Sequence, residues 1–373
     1  MNTVTLSGSA HYIGRKVGML SREPMRRRLI AQLGGEEAWP DLLALHADRC
    51  HAYRDLLLSF APSWLDEAEG MAEGAGVPVE ALLLINSASA ELKPPAPDNC
   101  TAYMALGSAS GSGANLFHKN RDNRPDTQLF FARHIEGHYR TLGGIEVGGL
   151  GLAQAVNEHG LAGANNTGSP LAQAFADVGF DDRQILRMVA ERGKTCDDAL
   201  RLCEEMAAAG VARGDAGRYG MIFLFADPSR GLVVEMTDRD VWHEFHDDGL
   251  VIRSNHFRLE GAVSATGPLE PNSTTLQRYA RAEDLLGPRA GHLQPDDFLA
   301  AGRDTAGHPA SLCNPSTVSI VTHQLSPEAG CRMSWVCNGY PLAAPTREWS
   351  HSEVATPVEY VDGTSWVSPP VRA

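Results

Sequence analysis

The spacing of hydrophobic residues divides the chain into a helical first part and a strand-rich remainder. Residues 63–76 carry apolar side chains at helical spacing and end in glycines, and residues 78–86 form a second helical pattern with proline in its first turn. The prolines within residues 94–97 then close this region, because proline neither continues a helix nor donates a hydrogen bond to a sheet. The pattern predicts that residues 1–93 are mostly helical.

From Cys100 onward the apolar positions alternate with a period of two, which is typical of strands. Residues 100–106 and 114–120 flank the flexible stretch 107–113, and together they predict a β-hairpin. Further predicted strands are 129–138, 151–157, 161–165, 219–226, 231–237, 241–246, 250–254, 317–322 and 332–338, and further predicted helices are 182–192, 195–209 and 273–286. Antiparallel hairpins with inserted helices differ from the strand–helix alternation of a doubly wound fold and predict stacked sheets covered by helices.

Several common catalytic motifs are missing from the sequence. It contains no Walker loop, no HExxH and no G-x-S-x-G elbow. The glycine-rich stretch 143–151 does not fit G-x-G-x-x-G, so we expect turns or close backbone packing there, with the lining of a substrate pocket as the alternative.

The composition indicates a globular protein with acidic character. The chain has 373 residues, of which 43% are hydrophobic, and a net charge of −14 at pH 7. Such a charge repels phosphate backbones, which argues against a nucleic-acid partner. No apolar run reaches the ~18 residues of a membrane span, and the first residues lack a secretory signal pattern. We therefore expect a cytoplasmic protein with no membrane partner.

The seven cysteines are scattered along the chain. An odd number without paired spacing argues against a disulfide framework. No CxxC pair and no His/Cys cluster with zinc spacing occurs, so we expect no structural metal and no cofactor.

Cys100 opens a strand directly after the proline-rich loop. Cleavage of the bond between Asn99 and Cys100 would give this cysteine a free α-amino group. Such an amine, with a pKa of about 7.7–8.0, can act as general base for the thiol of the same residue. The residues alone also allow an ordinary buried cysteine at a strand start.

Charged and amide side chains follow several predicted strands. In the predicted hairpin, Lys119 and Asp122 return toward Cys100, where a carboxylate could hold an N-terminal ammonium and a cation could favour the thiolate. A solvated charged loop is the alternative. Asn165, Asn166 and Asn255 also follow strands, and their side-chain N–H groups suit an oxyanion, although asparagine is also a common turn residue.

An ordered series of segments resembles the acyl-CoA:6-aminopenicillanate acyltransferase family of N-terminal nucleophile hydrolases. The segments are residues 8–18, 69–76, 82–86, 99–103, 119–122, 157–161, 254–257 and 317–321. The resemblance covers nearly the whole chain. It implies an α+β, four-layer αββα fold with two stacked, mostly antiparallel sheets. It also implies a precursor cleaved before the nucleophile, with residues 1–99 as a helical segment that stays associated with the catalytic core 100–373 in one globular domain.

The resemblance also implies roles for individual residues. Cys100 matches the nucleophile, Asp122 the aspartate that binds the new amine, and Lys119 the place of an arginine in bile-salt relatives. Asn166, with Asn165 as the less favoured choice, and Asn255 match the residues that support the oxyanion. The remaining supporting or substrate-binding candidates are Thr101, Asn165, His256 and Asn314.

The sequence departs from the family pattern at three positions. Asn99 replaces the glycine that many relatives place before the nucleophile, which leaves the efficiency of cleavage open. Asn314 stands about where several members have an arginine, so substrate recognition is less certain to follow the family. Lys119 keeps the charge of arginine but lacks its planar fork.

The function expected from these residues is that of an autoprocessed amidase or acyltransferase acting on a small N-acyl amine or amide through an acyl-enzyme. Hydrolysis is favoured over transfer, with acyl-CoA as the alternative acyl donor. A dipeptidase-like hydrolase of the same fold and a non-catalytic binding protein are the other hypotheses. The sequence leaves open whether the protein forms a homo-oligomer.

Overall fold

The computed structural model describes residues 3–88, 100–123, 128–171, 177–214, 217–266, 269–271 and 273–350. Asn99, and with it the upstream side of the expected cleavage site, lies outside the described residues.

The first part of the chain is mostly helical, as predicted, but it begins with a strand. Strand β1 (Thr3–Gly8) precedes the helices, and it was not predicted because it is short and buries few apolar side chains. The helices are α1 (Ala10–Leu20), α2 (Arg22–Leu33), α3 (Trp39–Leu45), α4 (Ala47–Phe60), α5 (Pro62–Ala75) and α6 (Val79–Asn86).

The rest of the chain builds two sheets with further helices. Its strands are β2 (Cys100–Leu106), β3 (Asn115–Asp122), β4 (Gln128–Ile135), β5 (Thr141–Glu146), β6 (Gln154–Asn157), β7 (Ala162–Pro170), β8 (Tyr219–Ala226), β9 (Gly231–Met236), β10 (Val241–His246), β11 (Gly249–Arg253), β12 (Thr317–Ser326), β13 (Gly330–Asn338) and β14 (Arg347–Ser350). Its helices are α7 (Asp182–Arg192), α8 (Cys196–Ala208), α9 (Thr274–Leu286) and α10 (Pro295–Gly302).

The strands form a large and a small sheet. The large sheet has eight strands in the order β1-β4-β5-β6-β7-β8-β9-β10, and the small sheet has six in the order β11-β2-β3-β12-β13-β14. All neighbouring pairs are antiparallel except β1 and β4, which run parallel. The predicted β-hairpin is the β2–β3 pair at the centre of the small sheet.

Three buried apolar layers separate the sheets and helices. Ala102 and Phe117 of the small sheet pack against Phe130 and Val156 of the large sheet. The outer face of the large sheet packs against α1, α2 and α4–α8, and the outer face of the small sheet packs against α9 and α10. The chain therefore has the expected four-layer αββα architecture.

The glycine-rich stretch 143–151 is only partly a turn. Gly143 and Gly144 lie inside β5, where an added Cβ on Gly143 would meet the carbonyl oxygen of Gln154 at 2.9 Å. These two residues therefore show the close backbone packing that we expected as one of two possibilities. Strand β5 itself was not predicted, because glycine hides the period-two signal. Helix α10 and strand β14 were also not predicted.

Helices α1 and α5 pack closely through four glycines. A Cβ on Gly14 or Gly18 would lie 2.1 or 2.2 Å from the backbone oxygens of α5, and one on Gly70 or Gly74 would lie 2.1 or 2.2 Å from those of α1. Only glycine permits this approach, so the pair depends on residues at these spacings.

A buried ionic cluster connects α5 to the core. The carboxylate of Glu67 on α5 accepts hydrogen bonds from Arg133 of β4 at 3.0 Å and from Arg187 of α7. Glu191 accepts from the same two arginines at 3.0 and 2.8 Å, and from the indole of Trp64 at 2.8 Å. Residues 3–88 are thus held to the core by charge as well as by apolar packing.

None of the helices in the described part of the chain combines the length and the hydropathy needed to cross a membrane.

Candidate active site

Cys100 is the first residue of β2 and lies opposite Arg121 on β3. Ala102 lies opposite Lys119, and since alternate residues of a strand share a face, Cys100, Lys119 and Arg121 all point between the two sheets with Ala102. They line a cavity with about 270 Å³ of empty volume, whose walls also include Asn165, Thr167 and Asp182. Cys100 is 7% exposed.

The Lys119 side chain is fully buried between the nucleophile candidate and β7. Its ammonium donates to the backbone oxygen of Asn165 and to the amide oxygen of Asn166. Burial lowers the pKa of Lys119, while the adjacent Cys100 sulfur raises it through charge and a hydrogen bond. The sequence prediction that hairpin pairing brings Lys119 to Cys100 agrees with this geometry.

Asp122 ends β3 one residue beyond the partner of Cys100. Its carboxylate accepts hydrogen bonds from the amide of Asn314 and the hydroxyl of Thr317, both at 2.6 Å. Burial raises the pKa of Asp122 to about 6, and the Arg278 charge with these two bonds opposes the shift. Asn314 therefore orients Asp122.

Arg278 of α9 is a site residue that the sequence analysis missed. Its guanidinium donates to the carbonyl oxygen of Cys100, to Thr101 Oγ1 at 3.0 Å, and to Asn255 Oδ1 at 2.8 Å. Burial lowers the pKa of Arg278, while the charges of Asp122 and Cys100 raise it. The arginine sought near Asn314 is thus supplied from a helix earlier in the chain.

One sequence signal could have identified this arginine. The buried face of α9 consists of Thr275, Arg278, Ala282 and Leu286, which follow helical spacing. An arginine on the apolar face of a helix must be paired or bound to a ligand, because an unpaired buried charge is strongly destabilising.

Asn255 contacts the backbone of the nucleophile candidate. Its Oδ1 accepts a hydrogen bond from the Cys100 backbone N–H at 2.8 Å, and its Nδ2 donates to the carbonyl oxygen of Thr167 at 2.7 Å. The second hydrogen of that Nδ2 has no acceptor among the described residues. Asn255 therefore positions the nitrogen of Cys100 and keeps one side-chain N–H for a further acceptor.

Asn166 does not have the geometry expected of an oxyanion donor. Its Nδ2 donates to the carbonyl oxygens of Arg253 and Ser254 at 3.0 and 2.8 Å, which uses both hydrogens. Its oxygen receives the Lys119 ammonium. Our assignment of Asn166 as a side-chain oxyanion donor is therefore corrected: the residue positions Lys119 and the end of β11.

The Asn165 side chain lies on the α7 side of β7, where Asn165 and Asp182 both line the cavity beside Cys100. Its Nδ2 donates to the carboxylate of Asp182 at 2.7 Å, and Asp182 also accepts from the backbone N–H of Arg183 at 3.0 Å. Asp182 is the first residue of α7, and sequence reasoning did not single it out because an acidic residue is ordinary at a helix start.

His256 lies behind the site. Its Nδ1 is within hydrogen-bonding distance of Ser254 Oγ at 3.1 Å and Thr275 Oγ1 at 3.0 Å, so it connects β11 to the start of α9. Burial, followed by the charges of nearby arginines, lowers the pKa of His256 to about 4, so the ring is neutral at pH 7. It supports the helix that carries Arg278.

The described residues contain no group of three or more His, Cys, Asp or Glu side chains arranged to hold a metal ion. The seven cysteines, all of them among the described residues, are buried, and none of them forms a disulfide.

Several solved structures are similar to this chain. Penicillin V acylase from Agrobacterium tumefaciens has 13% identity and a TM-score of 0.47, covering 70% of this chain and 89% of its own. A mutant of conjugated bile acid hydrolase from Clostridium perfringens has 13% identity and a TM-score of 0.48, covering 73% and 97%. The N-acylethanolamine-hydrolyzing acid amidase ortholog from Caenorhabditis elegans has 12% identity and a TM-score of 0.43, covering 67% and 99%.

No curated protein sequence matches the chain. A family model does: the model described as acyl-coenzyme A:6-aminopenicillanic acid acyl-transferase matches residues 109–329, which is more than half of the chain. The match begins after Cys100 and includes Lys119, Asp122, Asn255 and Arg278. The chain therefore belongs to the acyl-coenzyme A:6-aminopenicillanic acid acyl-transferase family.

Proposed function

We propose that the protein is an amidohydrolase of small N-acyl substrates, with Cys100 as an N-terminal nucleophile that the chain exposes by cutting itself. The observation that carries the proposal is the placement of Cys100 at the start of β2. Its sulfur interacts with Lys119, its backbone N–H is bound by Asn255, and its carbonyl oxygen is bound by Arg278.

Self-cleavage would use the same thiol as turnover. The Cys100 sulfur attacks the carbonyl carbon of Asn99, the peptide C–N bond breaks, and the acyl group moves from nitrogen to sulfur. Water then hydrolyses the thioester, which gives a carboxylate at Asn99 and frees both the thiol and the α-amino group of Cys100. Asp122 lines the same cavity as Cys100, and its carboxylate is the group proposed to hold the new ammonium.

In turnover, the α-amino group takes the proton of the thiol and the thiolate attacks the substrate amide carbon. Asn255 Nδ2 is the side-chain donor proposed for the oxyanion, a contact typically worth about 2.7–4 kcal/mol. The ammonium returns its proton to the leaving nitrogen, the amine departs, and water hydrolyses the thioester. Hydrolysis is proposed over acyl transfer, and acyl-coenzyme A, the acyl source in the family's name, is the alternative donor.

Intact-mass analysis of purified protein tests the cleavage step. We expect fragments of residues 1–99 and 100–373 from the wild type and an uncut chain from Cys100→Ala, because the variant lacks the attacking sulfur. Cys203→Ala is the matched control, since Cys203 is a buried thiol of α8 remote from the cavity, and it should cut normally.

The catalytic step is tested by incubating cut protein with a panel of N-acyl amides and quenching in acid. A mass increase equal to one acyl group on the fragment that starts at Cys100 is the expected result. A wild-type chain that stays whole and takes up no acyl group would contradict the proposal and favour a non-catalytic binding protein of the same fold.

A further inference from the structure

Asn165 carries an unused hydrogen-bond acceptor in the wall of the Cys100 cavity. The residue is 6% exposed, and its backbone oxygen and Nδ2 are both engaged, by Lys119 and Asp182. Its Oδ1 is buried and has no hydrogen-bond partner among the described residues. A buried carbonyl oxygen without a partner costs free energy, so its retention beside a nucleophile points to a ligand.

The neighbouring carboxylate fixes which atom of the amide is unused. Asp182 is 1% exposed and receives the Asn165 amide at 2.7 Å. An ionised carboxylate only accepts hydrogen bonds, so rotation of the Asn165 amide by 180° would set two oxygens against each other. The group presented by Asn165 is therefore an acceptor.

The cavity has walls of opposite character. The β3 wall carries the cations Lys119 and Arg121, which already donate to Asn166 and to Gln128 and Glu146. The β7 wall carries the Asn165 oxygen with the Asp182 carboxylate behind it. In the β7 wall the Asn165 oxygen can only accept, and the hydroxyl of Thr167 can accept as well as donate, so this wall suits an N–H donor.

We propose that Asn165 Oδ1 binds an N–H group of the substrate and that the enzyme selects substrates carrying one. This inference rests on the proposed function and adds the substrate chemistry to it. The N–H group has two sources, the scissile amide itself or an amino group on the acyl part, and both share the same donor chemistry.

Four p-nitrophenyl probes with one acyl chain separate these sources. They are the plain ester, which has no N–H, the same ester with an amino group on the acyl chain, the anilide, and the N-methyl anilide. Rates are expressed relative to alkaline hydrolysis of each probe, which corrects for intrinsic reactivity. The wild type should favour the anilide over its N-methyl form, or the amino ester over the plain ester, by about tenfold or more.

Asn165→Leu removes the acceptor at similar volume. It should lower kcat/KM for the favoured N–H probe about tenfold or more relative to kcat/KM for the plain ester. An equal loss on the plain ester would overturn the inference, because an oxyanion or structural role affects every acyl probe alike. If the variant does not fold, the wild-type comparison of N–H and N-methyl probes decides, and equal relative rates in both probe pairs would overturn it.

A different result would show that the proposed function itself is wrong. In that case no probe acylates Cys100 in the wild type, and the inference about Asn165 falls with it. Acylation of Cys100 by all four probes without N–H preference sustains the function and overturns only the inference.

Discussion

At the residue scale, the site joins a sulfur, an ammonium, a carboxylate and a guanidinium supplied by three elements. The sequence predicted Cys100, Lys119 and Asp122 because they share one hairpin, and strand pairing of neighbours is readable from spacing. Helical spacing marks Arg278 as a buried arginine, but it does not reveal that the side chain reaches Cys100 across 178 positions of sequence. The rotation of the Asn166 amide toward the β11 backbone has no sequence signal either. Those depend on packing between layers.

Asp122 supplies a prediction about pH. In the uncut Cys100→Ala chain it should titrate near pH 6, because burial raises its pKa. In the cut protein an ammonium at Cys100 favours the ionised carboxylate, so its titration should move to lower pH. Carbon-13 NMR of aspartate-labelled protein, with Asp122→Asn to assign the signal, measures both. Identical titrations in the cut and uncut forms would contradict the proposed role of Asp122.

The raised pKa of Asp122 also determines how the stability of the uncut chain changes with pH. A carboxyl whose pKa is raised on folding binds its proton more tightly in the folded chain than in the unfolded one. The contribution of Asp122 to the stability of the uncut chain is therefore fully present below about pH 4 and is lost as the pH rises through about 6.

At the element scale, strands with alternating apolar residues were predictable and glycine-rich or short ones were not. Residues 219–226 were predicted as a strand with the limits that β8 has, whereas β5 was hidden by Gly143 and Gly144. Strand β1 forms at the edge of the large sheet by pairing with β4, a partner more than a hundred residues away. Such pairing is set by tertiary contacts, which local propensity does not record.

The glycines between α1 and α5 give an element-scale prediction. Gly14→Ala should lower the free energy of unfolding by about 1–3 kcal/mol or more, because the new methyl group would lie 2.1 Å from the carbonyl oxygen of Glu67 and force the helices apart. Urea denaturation measures the change.

The control for this substitution is Gly287→Ala. Gly287 adopts right-handed backbone angles at the end of α9, and an added Cβ meets no heavy atom within 4 Å. Pro288 follows and disfavours these backbone angles for alanine, so the variant should lose some stability, but clearly less than Gly14→Ala loses. Equal effects of the two substitutions would show that helix contact is not the cause.

At the scale of the whole molecule, residues 3–88 are part of the fold. They provide an edge strand of the large sheet, the helices α1–α6, and the buried Glu67 that pairs with Arg133 and Arg187. If the chain cuts itself before Cys100, we therefore propose that the two fragments remain associated.

Replacement of Glu67 tests how much the buried ionic cluster contributes to stability. Glu67→Gln in the uncut Cys100→Ala background should lower the free energy of unfolding by about 3–5 kcal/mol, because two buried arginines then share the single carboxylate of Glu191. Glu73→Gln is the matched control: its ion pairs with His11 and Arg15 are half exposed, so the loss should stay below about 1 kcal/mol. Comparable losses in both would contradict a special role for the buried cluster.

The parallel pairing of β1 with β4 has a consequence for how the protein can be made. Cleavage before Cys100 would leave β1 and β4 on separate polypeptides. Both strands of this pair would therefore belong to one chain only before the cut. Mature material that loses its structure would then need a bimolecular encounter to regain it. Self-cleavage would in that case be irreversible, and a single cut polypeptide could not refold into this sheet by itself.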